Sequence, residues 1–389
     1  ESVKMANIGR IIMEGDLVKG FYENKSSSPG YIGLTSNLPG NIIPINLDAM
    51  GGSIKAKRDG FMAAYYYQLP SSKSEPITLT FFDTHTNSIE ELYNLALKKQ
   101  ALVIGPLTKS NVNKLQQIDL TLTPTLALNY IDNALQSTTP HANLFQLGLN
   151  PEAEIDQLSK HLSSKGLNKV AYIGPENEHG FRIHDSLLKA LQDQQGYIIE
   201  SVYYNDQKSL SPSVSKLLGT DLSLKRKRTI QNITNLFTEF EPRRRKDIDA
   251  IFMLAKPPIA KQLNPLFAYH YAKDLPIYSI SQIHQIDDQK DDLDNIHFIE
   301  MPWMLNNTID IKNTIIKAIP SAQTNYSRFY ALGADAYSLS PRLQFLKEIQ
   351  GSQIQGHTGT LSINQKGLVQ RSLELAVFKR GKVIIAKED

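Results

Sequence analysis

The chain has 389 residues, 41% of them apolar, and its 42 basic and 39 acidic side chains leave a net charge of +3. A chain of this length normally divides into about two or three units with sizeable cores, and the near-balance of charge excludes a global field that would draw it to nucleic acid or anionic membrane. Cysteine is absent, which excludes disulfides, thiolate metal sites and a cysteine nucleophile, and no apolar run approaches the roughly 18 to 20 residues of a membrane-spanning helix.

Residues 1–38 are rich in glycine and carry Ser26-Ser27-Ser28-Pro29, so they read as a linker with at most short helical pieces. The opening ESVKM lacks the basic and apolar regions of a secretory signal. From about residue 41, apolar runs alternate with helical spacings, as in parallel sheets covered on both faces. Ile42 to Leu47 predicts a strand, and Ile54 to Tyr67 a helix spaced by Ile54, Phe61, Ala64 and Tyr65. Ile77 to Asp83, the helix Ser88 to Lys99 and the β-branched strand Leu102 to Ile104 follow. Asp48-Ala49-Met50-Gly51-Gly52, before the first helix, can present backbone amides to an anion, or is simply a turn. Gly105-Pro106-Leu107 likewise has two readings, the floor of a ligand cleft or a strand-to-helix turn that needs glycine's torsional freedom.

A break at Gly148 precedes Asn150-Pro151-Glu152-Ala153-Glu154, a helix start with an N-cap, a proline in the first turn and acids at the positive end of the dipole. A second βα series runs through Lys169 to Gly174, the helix His179 to Gln194, Tyr197 to Tyr203, and Ala250 to Leu254. Pro276 to Ser281 and Ile296 to Met301 continue it as strands. Phe329, Leu332, Ala336, Leu339, Leu343, Leu346 and Ile349 then recur at three- and four-residue steps, which predicts one amphipathic helix stopped by Gly351. Beyond the turn-rich GHTGTL, alternating Leu373, Leu375 and Val377, with Arg380-Gly381 before Val383 to Ile385, predict short strands and tight turns.

No catalytic set assembles from these elements. Ser186 to Lys189 and Ser213 to Lys216 both spell the S-x-x-K of penicillin-binding transpeptidases, but no K-T-G or S-D-N partner occurs and both fall in helices. G-x-S-x-G, Walker A and G-x-G-x-x-G after a strand are missing as well. His179 and His184, with Glu176 and Glu178 nearby, lie five residues apart, which puts the rings about 140° apart on a helix and argues against a metal pair. His284 with Asp287, Asp288, Asp291, Asp292 and Asp294 lacks the glycine and closing glutamate of a calcium loop and reads as a solvated acidic loop. Lys225-Arg226-Lys227-Arg228 and Arg243-Arg244-Arg245-Lys246 bracket a predicted helix, Thr229 to Phe240. They read either as a solvated face or as a docking patch for an acidic partner or anionic head groups.

The C-terminal block, RFYALGADAYSL followed by QGSQIQGHTGTLSIN, resembles the end of a type 1 periplasmic-binding-protein fold, and within that fold it resembles the LppC/LpoA family. Arg58-Asp59-Gly60-Phe61, Val103-Ile104-Gly105-Pro106-Leu107 with Asn111-Val112, Pro151-Glu152-Ala153-Glu154 and Ile299-Glu300-Met301-Pro302 carry the same resemblance in the same order. It implies an α/β, two-lobed fold in which each lobe is a mostly parallel sheet flanked by helices. Lobe one would hold 39–148 and 303–352, lobe two 149–302 and 353–389, with crossings near Gly148, Met301 and Gly351. It also implies an outer-membrane lipoprotein, with signal, lipidated cysteine and a helical-repeat domain upstream, that activates a class A penicillin-binding protein in the periplasm without enzymatic chemistry or a cofactor.

The cleft candidates are Asp48, Met50, Gly51, Gly105, Pro106, Asn129, Pro175 and Glu176, and the docking candidates Lys225, Arg226, Arg228, Arg243, Arg244 and Arg245. A second reading is a solute-binding or sensory protein closing on a small polar ligand. Met50, Pro106 and Pro175 stand where such a site would want Ser, Thr, Asp and Arg.

Overall fold

A computed structural model of the chain describes residues 32–33, 41–44, 52–68, 79–82, 84, 88–98, 101–131, 143–235, 239–285, 291–323 and 326–386. Asp48, Met50, Gly51, Asp287 and Asp288 lie outside them. Packing divides the chain into two compact units, residues 1–149 with 301–372 and residues 150–300 with 373–389.

In chain order, the first part of unit one contains β1 (Ile32–Gly33), β2 (Asn41–Pro44), α1 (Gly52–Gln68), β3 (Thr80–Phe82), α2 (Ile89–Lys98), β4 (Leu102–Ile104), the short α3 (Lys109–Lys114), β5 (Thr125–Ala127) and β6 (Leu144–Gln146). Unit two begins with α4 (Pro151–Ser164), β7 (Lys169–Pro175), α5 (Glu178–Asp193), β8 (Tyr197–Tyr204), α6 (Leu210–Leu218), α7 (Thr220–Thr234), β9 (Ala250–Met253), α8 (Pro257–Tyr269), β10 (Ile277–Ser279) and β11 (Ile296–Glu300). The chain returns to unit one as α9 (Pro302–Leu305), α10 (Asp310–Ala318), α11 (Ser327–Leu339), α12 (Leu343–Glu348), β12 (Ile354–Gln355), β13 (Thr360–Ile363) and β14 (Val369–Ser372). Unit two ends with β15 (Glu374–Lys379) and β16 (Lys382–Ile385). Among the described residues no helix is long and apolar enough to cross a membrane.

The sheet of unit one runs β1-β2-β4-β5-β6, with β3 also on β2. All its pairings are parallel except β1 on β2, where Ile32 lies opposite Ile43. The expectation of a bare linker through residue 38 is therefore corrected at Ile32–Gly33, which satisfy their backbone groups on β2. Leu92, Tyr93 and Ala96 of α2 pack with Val103, Val112, Ala127 and Leu144 in one apolar cluster, and Leu368 joins it from far along the chain.

That last contact corrects the third crossing, expected near Gly351. Residues 353–372 belong to unit one: Gln146 donates its backbone N–H to the Gly367 carbonyl (2.9 Å), and the chain passes to unit two between Ser372 and Leu373. The predicted helix from Phe329 to Ile349 is also two helices. A 3₁₀ turn at Ser340-Pro341-Arg342 separates α11 from α12, because proline has no N–H to continue the ladder, and Ile349 is left half exposed.

α1 and α11 cross in close contact within unit one. α1 is buried on all sides from Ala56 to Tyr66, and Phe61 and Tyr65 meet Tyr337 edge-on at 5.4 and 5.9 Å. On α11, Asp335 is fully buried and accepts bonds from the His357 N–H (2.6 Å), the Thr358 N–H (2.7 Å) and the Thr358 hydroxyl (2.5 Å). Burial raises its pKa, against the opposing pull of those donors and of His357. Trp303 bonds to the His357 carbonyl through its backbone N–H and to the Ser327 hydroxyl through its indole N–H, so the Asp335 carboxyl and the Trp303 backbone hold the GHTGTL loop while the indole ties Trp303 to α11.

The sheet of unit two runs β16-β15-β11-β10-β9-β7-β8, parallel from β8 to β11 and antiparallel at β15 and β16. Arg380 and Gly381, both at positive φ, make the tight turn between β15 and β16. Asn150 accepts the Glu152 N–H at the start of α4, and Glu154 accepts the backbone N–H and hydroxyl of Ser281 at 2.8 Å each.

Candidate functional site

In an open α/β sheet a ligand meets the carboxyl ends of the strands, where helix N-termini and loops converge. Unit one brings Gly105, Pro106 and Asn129 together there. Gly105 follows β4 with φ at 119°, a conformation that requires glycine, and its N–H donates to the Leu126 carbonyl at 2.8 Å. The Pro106 carbonyl accepts the Leu128 N–H, while the Asn129 amide donates to the Leu107 carbonyl (3.3 Å) and its oxygen accepts the Tyr130 N–H (3.0 Å). Gly105 and Pro106 are buried, so this cluster is a brace between strand ends.

The group that sequence reading missed here is Lys57. It lies on the Ile54–Phe61–Ala64 stripe of α1, at three- and four-residue steps, which is the signal for a buried lysine. Its ammonium donates to the Leu128 carbonyl (3.0 Å) and sits 5.5 Å from the Phe329 ring centre. The side chain is 6% exposed, and burial pulls its pKa down to about 8.

In unit two, Pro175 ends β7, and the exposed Glu176 donates its backbone N–H to the Tyr204 carbonyl at 2.8 Å. Asn177 caps α5 by accepting the Gly180 N–H. The two histidines of that helix turn to different partners, His179 to the Gln282 amide (3.1 Å) and His184 to the Ser201 hydroxyl (2.8 Å). No group of three metal-ligating side chains occurs among the described residues. His284, expected in a solvated acidic loop, is instead buried and paired with buried Glu300 at 2.8 Å, against Phe298 and Phe378. It follows the 3₁₀ turn Ser281–Ile283, and its hydrogen bond to the Glu300 carboxyl satisfies a ring nitrogen that burial removes from water.

Both S-x-x-K serines have their hydroxyls engaged as donors to backbone carbonyls, Ser186 to Arg182 at 2.9 Å and Ser213 to Tyr203 at 3.2 Å. Neither lysine makes a hydrogen bond to its serine in the structure.

The basic blocks meet in unit two, though not as expected. Gly219, at φ 69°, closes α6, and α7 starts at once at Thr220, so Lys225 to Arg228 lie inside the helix and not before it. The Arg243 N–H donates to the Ser223 hydroxyl and the Arg245 N–H to the Leu218 carbonyl, which lays the second block beside this turn. Its charges are largely engaged. Arg244 binds Asp274 (2.6 Å) and the Tyr271 carbonyl, and Arg245 holds Asp247 through two bonds and Glu200 through a third. The Arg245 guanidinium keeps the Asp247 carboxyl below its ordinary range. Lys225 reaches Asp221 at 3.3 Å, whereas Arg226 and Arg228 make no ion pair among the described residues. The outward charge therefore belongs to α7, Arg243 and Lys246.

A family model described as "LppC putative lipoprotein" matches residues 46–381. The chain is 28% identical over 326 residues to the penicillin-binding protein activator LpoA of Vibrio cholerae, which covers 82% of this chain and 53% of that protein. It is 27% identical over 344 residues to LpoA of Photobacterium profundum, covering 86% and 54%. The chain thus spans about half the length of the curated relatives it matches. Among solved structures it is similar to the LpoA (YraM) C-domain from Haemophilus influenzae, a regulator of PBP1A, with a TM-score of 0.66 at 18% identity, over 89% of this chain and 98% of that one. A "putative branched-chain amino acid ABC transporter" from Chromobacterium violaceum gives 0.60 at 20% identity, over 86% and 98%. At these identities the structural likeness is one of fold, the α/β periplasmic-binding-protein type.

Proposed function

Because the chain belongs to the LppC lipoprotein family, we propose that it is a non-enzymatic regulator of peptidoglycan synthesis, which binds and activates a class A penicillin-binding protein. The observation that carries this reading is the family match over residues 46–381, together with relatives that are named penicillin-binding protein activators. The engaged hydroxyls of Ser186 and Ser213 support a role without acyl-transfer chemistry. The site of action is the periplasm, with attachment to the outer membrane as for a lipoprotein of this family.

Activation follows from linkage. A regulator that binds the active conformation of the synthase more tightly than the inactive one shifts its population, and a preference of about 1–3 kcal/mol gives roughly 5- to 150-fold coupling. Docking uses the surface of unit two that carries Lys225, Arg226, Arg228 and Arg243. Arg244 and Arg245 support that surface through their acidic partners and do not face a partner protein. The solute-binding reading is less well supported, because the polar groups of Asn129 at the unit-one strand ends are engaged within the unit.

The test is glycan-strand polymerisation by a purified class A synthase with and without this chain, alongside direct binding. A rate increase that saturates with the chain supports the reading. Binding without any change in rate, or no binding, overturns it.

A further inference from the structure

α7 is an unusual helix for a compact unit. Of its fifteen residues only Thr220 and Ser223 are buried, and from Leu224 to Thr234 none is. Its root is well held: the Thr220 hydroxyl bonds to His270 (3.0 Å) and to the Ser215 hydroxyl (2.8 Å), and Ser223 takes the Arg243 N–H (3.1 Å). Beyond that root the Lys227 ammonium rests over the Phe240 ring at 5.2 Å on one side, and the other faces of the helix stay exposed for roughly 15 Å at 1.5 Å per residue.

Its exposed surface is not uniformly polar. Leu222, Ile230 and Ile233 are 54, 52 and 75% exposed. At about 100° per residue they lie with Arg226 inside an arc of about 80°, the i, i+4, i+8, i+11 pattern by which a helix anchors in a groove. An isolated helix face of this kind gains nothing from exposing three branched aliphatic side chains. Arg226 stands in the middle of the stripe and has no ion pair among the described residues.

That central arginine discriminates between occupants. On a bilayer the deepest part of the stripe would carry the charge, and an amphipathic helix seated there puts its cations on the opposite face. In a protein groove the same guanidinium meets a carboxylate and becomes an anchor, the residue type that, with Trp and Tyr, dominates interface hot spots. Lys225 and Arg228 then lie outside the stripe as a rim that favours an acidic border.

We propose that α7 is the docking helix of this protein, and that it inserts Leu222, Arg226, Ile230 and Ile233 into an apolar groove with a carboxylate in its floor on the partner. The inference rests on the activator reading above, so the partner is the synthase itself.

The test measures binding of the full chain to a detergent-solubilised class A synthase and to phosphatidylglycerol vesicles. It uses the parent, the double variant Ile230→Ser/Ile233→Ser, and Arg226→Glu, with circular dichroism melts as the fold control. The altered side chains are exposed, so melting should be unchanged. Each variant should lose at least about tenfold in affinity for the synthase, mostly through faster dissociation. A photo-crosslinking residue in place of Ile233, in an otherwise native chain, should link to the synthase. A parent that binds and stimulates while both variants match it, or a probe that finds no synthase, overturns the docking helix and leaves the activator reading standing. A parent that binds no synthase overturns both. Binding to vesicles that the double variant loses, with synthase affinity intact, assigns the helix to lipid and overturns the groove.

Discussion

Gly60 on α1 and Gly333 on α11 are each other's counterparts in one helix crossing: a Cβ on Gly60 would run into the Tyr330 carbonyl, and one on Gly333 into the Lys57 carbonyl. Both obstacles are backbone and neither can rotate aside. Gly60→Ala or Gly333→Ala should therefore each destabilise unit one by about 1–3 kcal/mol, despite the gain in helix propensity that alanine gives elsewhere. The pair should be non-additive, because the first methyl group already separates the helices. Thermal melts of both singles and the double check this, and unchanged melting of either single would refute the close crossing.

Lys57 sets a pH dependence whose sign is fixed by its depressed pKa of about 8. Below pH 8 both folded and unfolded chains carry the proton, and the folded one holds a buried ammonium. Between about 8 and 10.4 the unfolded chain still binds a proton that the folded chain has released, so stability rises with pH in that window. Lys57→Met, which keeps the stem and removes the charge, should abolish this rise. The parent's stability relative to the variant should grow by up to about 3 kcal/mol across the window, an order-of-magnitude bound from the shift. Denaturant titrations at pH 7, 8.5 and 10 would show it, and parallel curves would count against a buried charge.

The His284–Glu300 pair should behave as a buried couple. His284→Ala strips the imidazole from a carboxylate that is fully buried and should cost about 3–5 kcal/mol, whereas replacing both partners by Leu and Met should cost less than either single change. Hydrogen exchange at the β11 amides reads out unit two separately, and it should accelerate in the single variant far more than in the double.

The two basic blocks should separate by experiment. Neutralising Lys225, Arg226, Lys227 and Arg228 to glutamine should leave melting within about 0.5 kcal/mol of the parent, since exposed ion pairs contribute little. It should slow association with the synthase, most at low salt, and the loss of Arg226 should also speed dissociation. Arg245→Ala should do the reverse, lowering stability through the lost links to Asp247 and Glu200 while leaving the salt dependence of association unchanged. Stopped-flow kinetics at two salt concentrations, with melts of both variants, distinguish them.

Much of this was legible in the residues, and the parts that were not share a cause. The strand Leu102–Ile104 matches its apolar run, and α5 and β8 lie within a residue of expectation, because periodicity reports local burial directly. The early start of α7 was hidden by its composition: a run of four cations looks like a loop unless Gly219 is read as a helix stop from which a second helix begins. Lys57 was hidden by its charge, although its place on the Ile54–Phe61 stripe was visible. Residues 353–372 were misassigned because Asp335 meets His357 and Thr358, and Gln146 meets Gly367 and Leu368, only in the folded unit. Which of the basic residues face outward depended also on Asp274 and Glu200, 30 and 45 residues from Arg244 and Arg245, and no spacing rule pairs side chains that far apart.

The crossing of α1 and α11 also bears on how the chain is made. Its two glycines are about 270 residues apart, so at a synthesis rate of roughly 5–20 residues per second α1 emerges some 15 to 55 s before the helix that covers it. Throughout that interval Phe61, Met62 and Tyr65 have no partner from α11, and nearly all of unit two is made in between. Contacts of such separation make folding slow, so unit one closes late, after residues 301–372 are available, and the nascent chain depends until then on whatever shields an uncovered apolar helix.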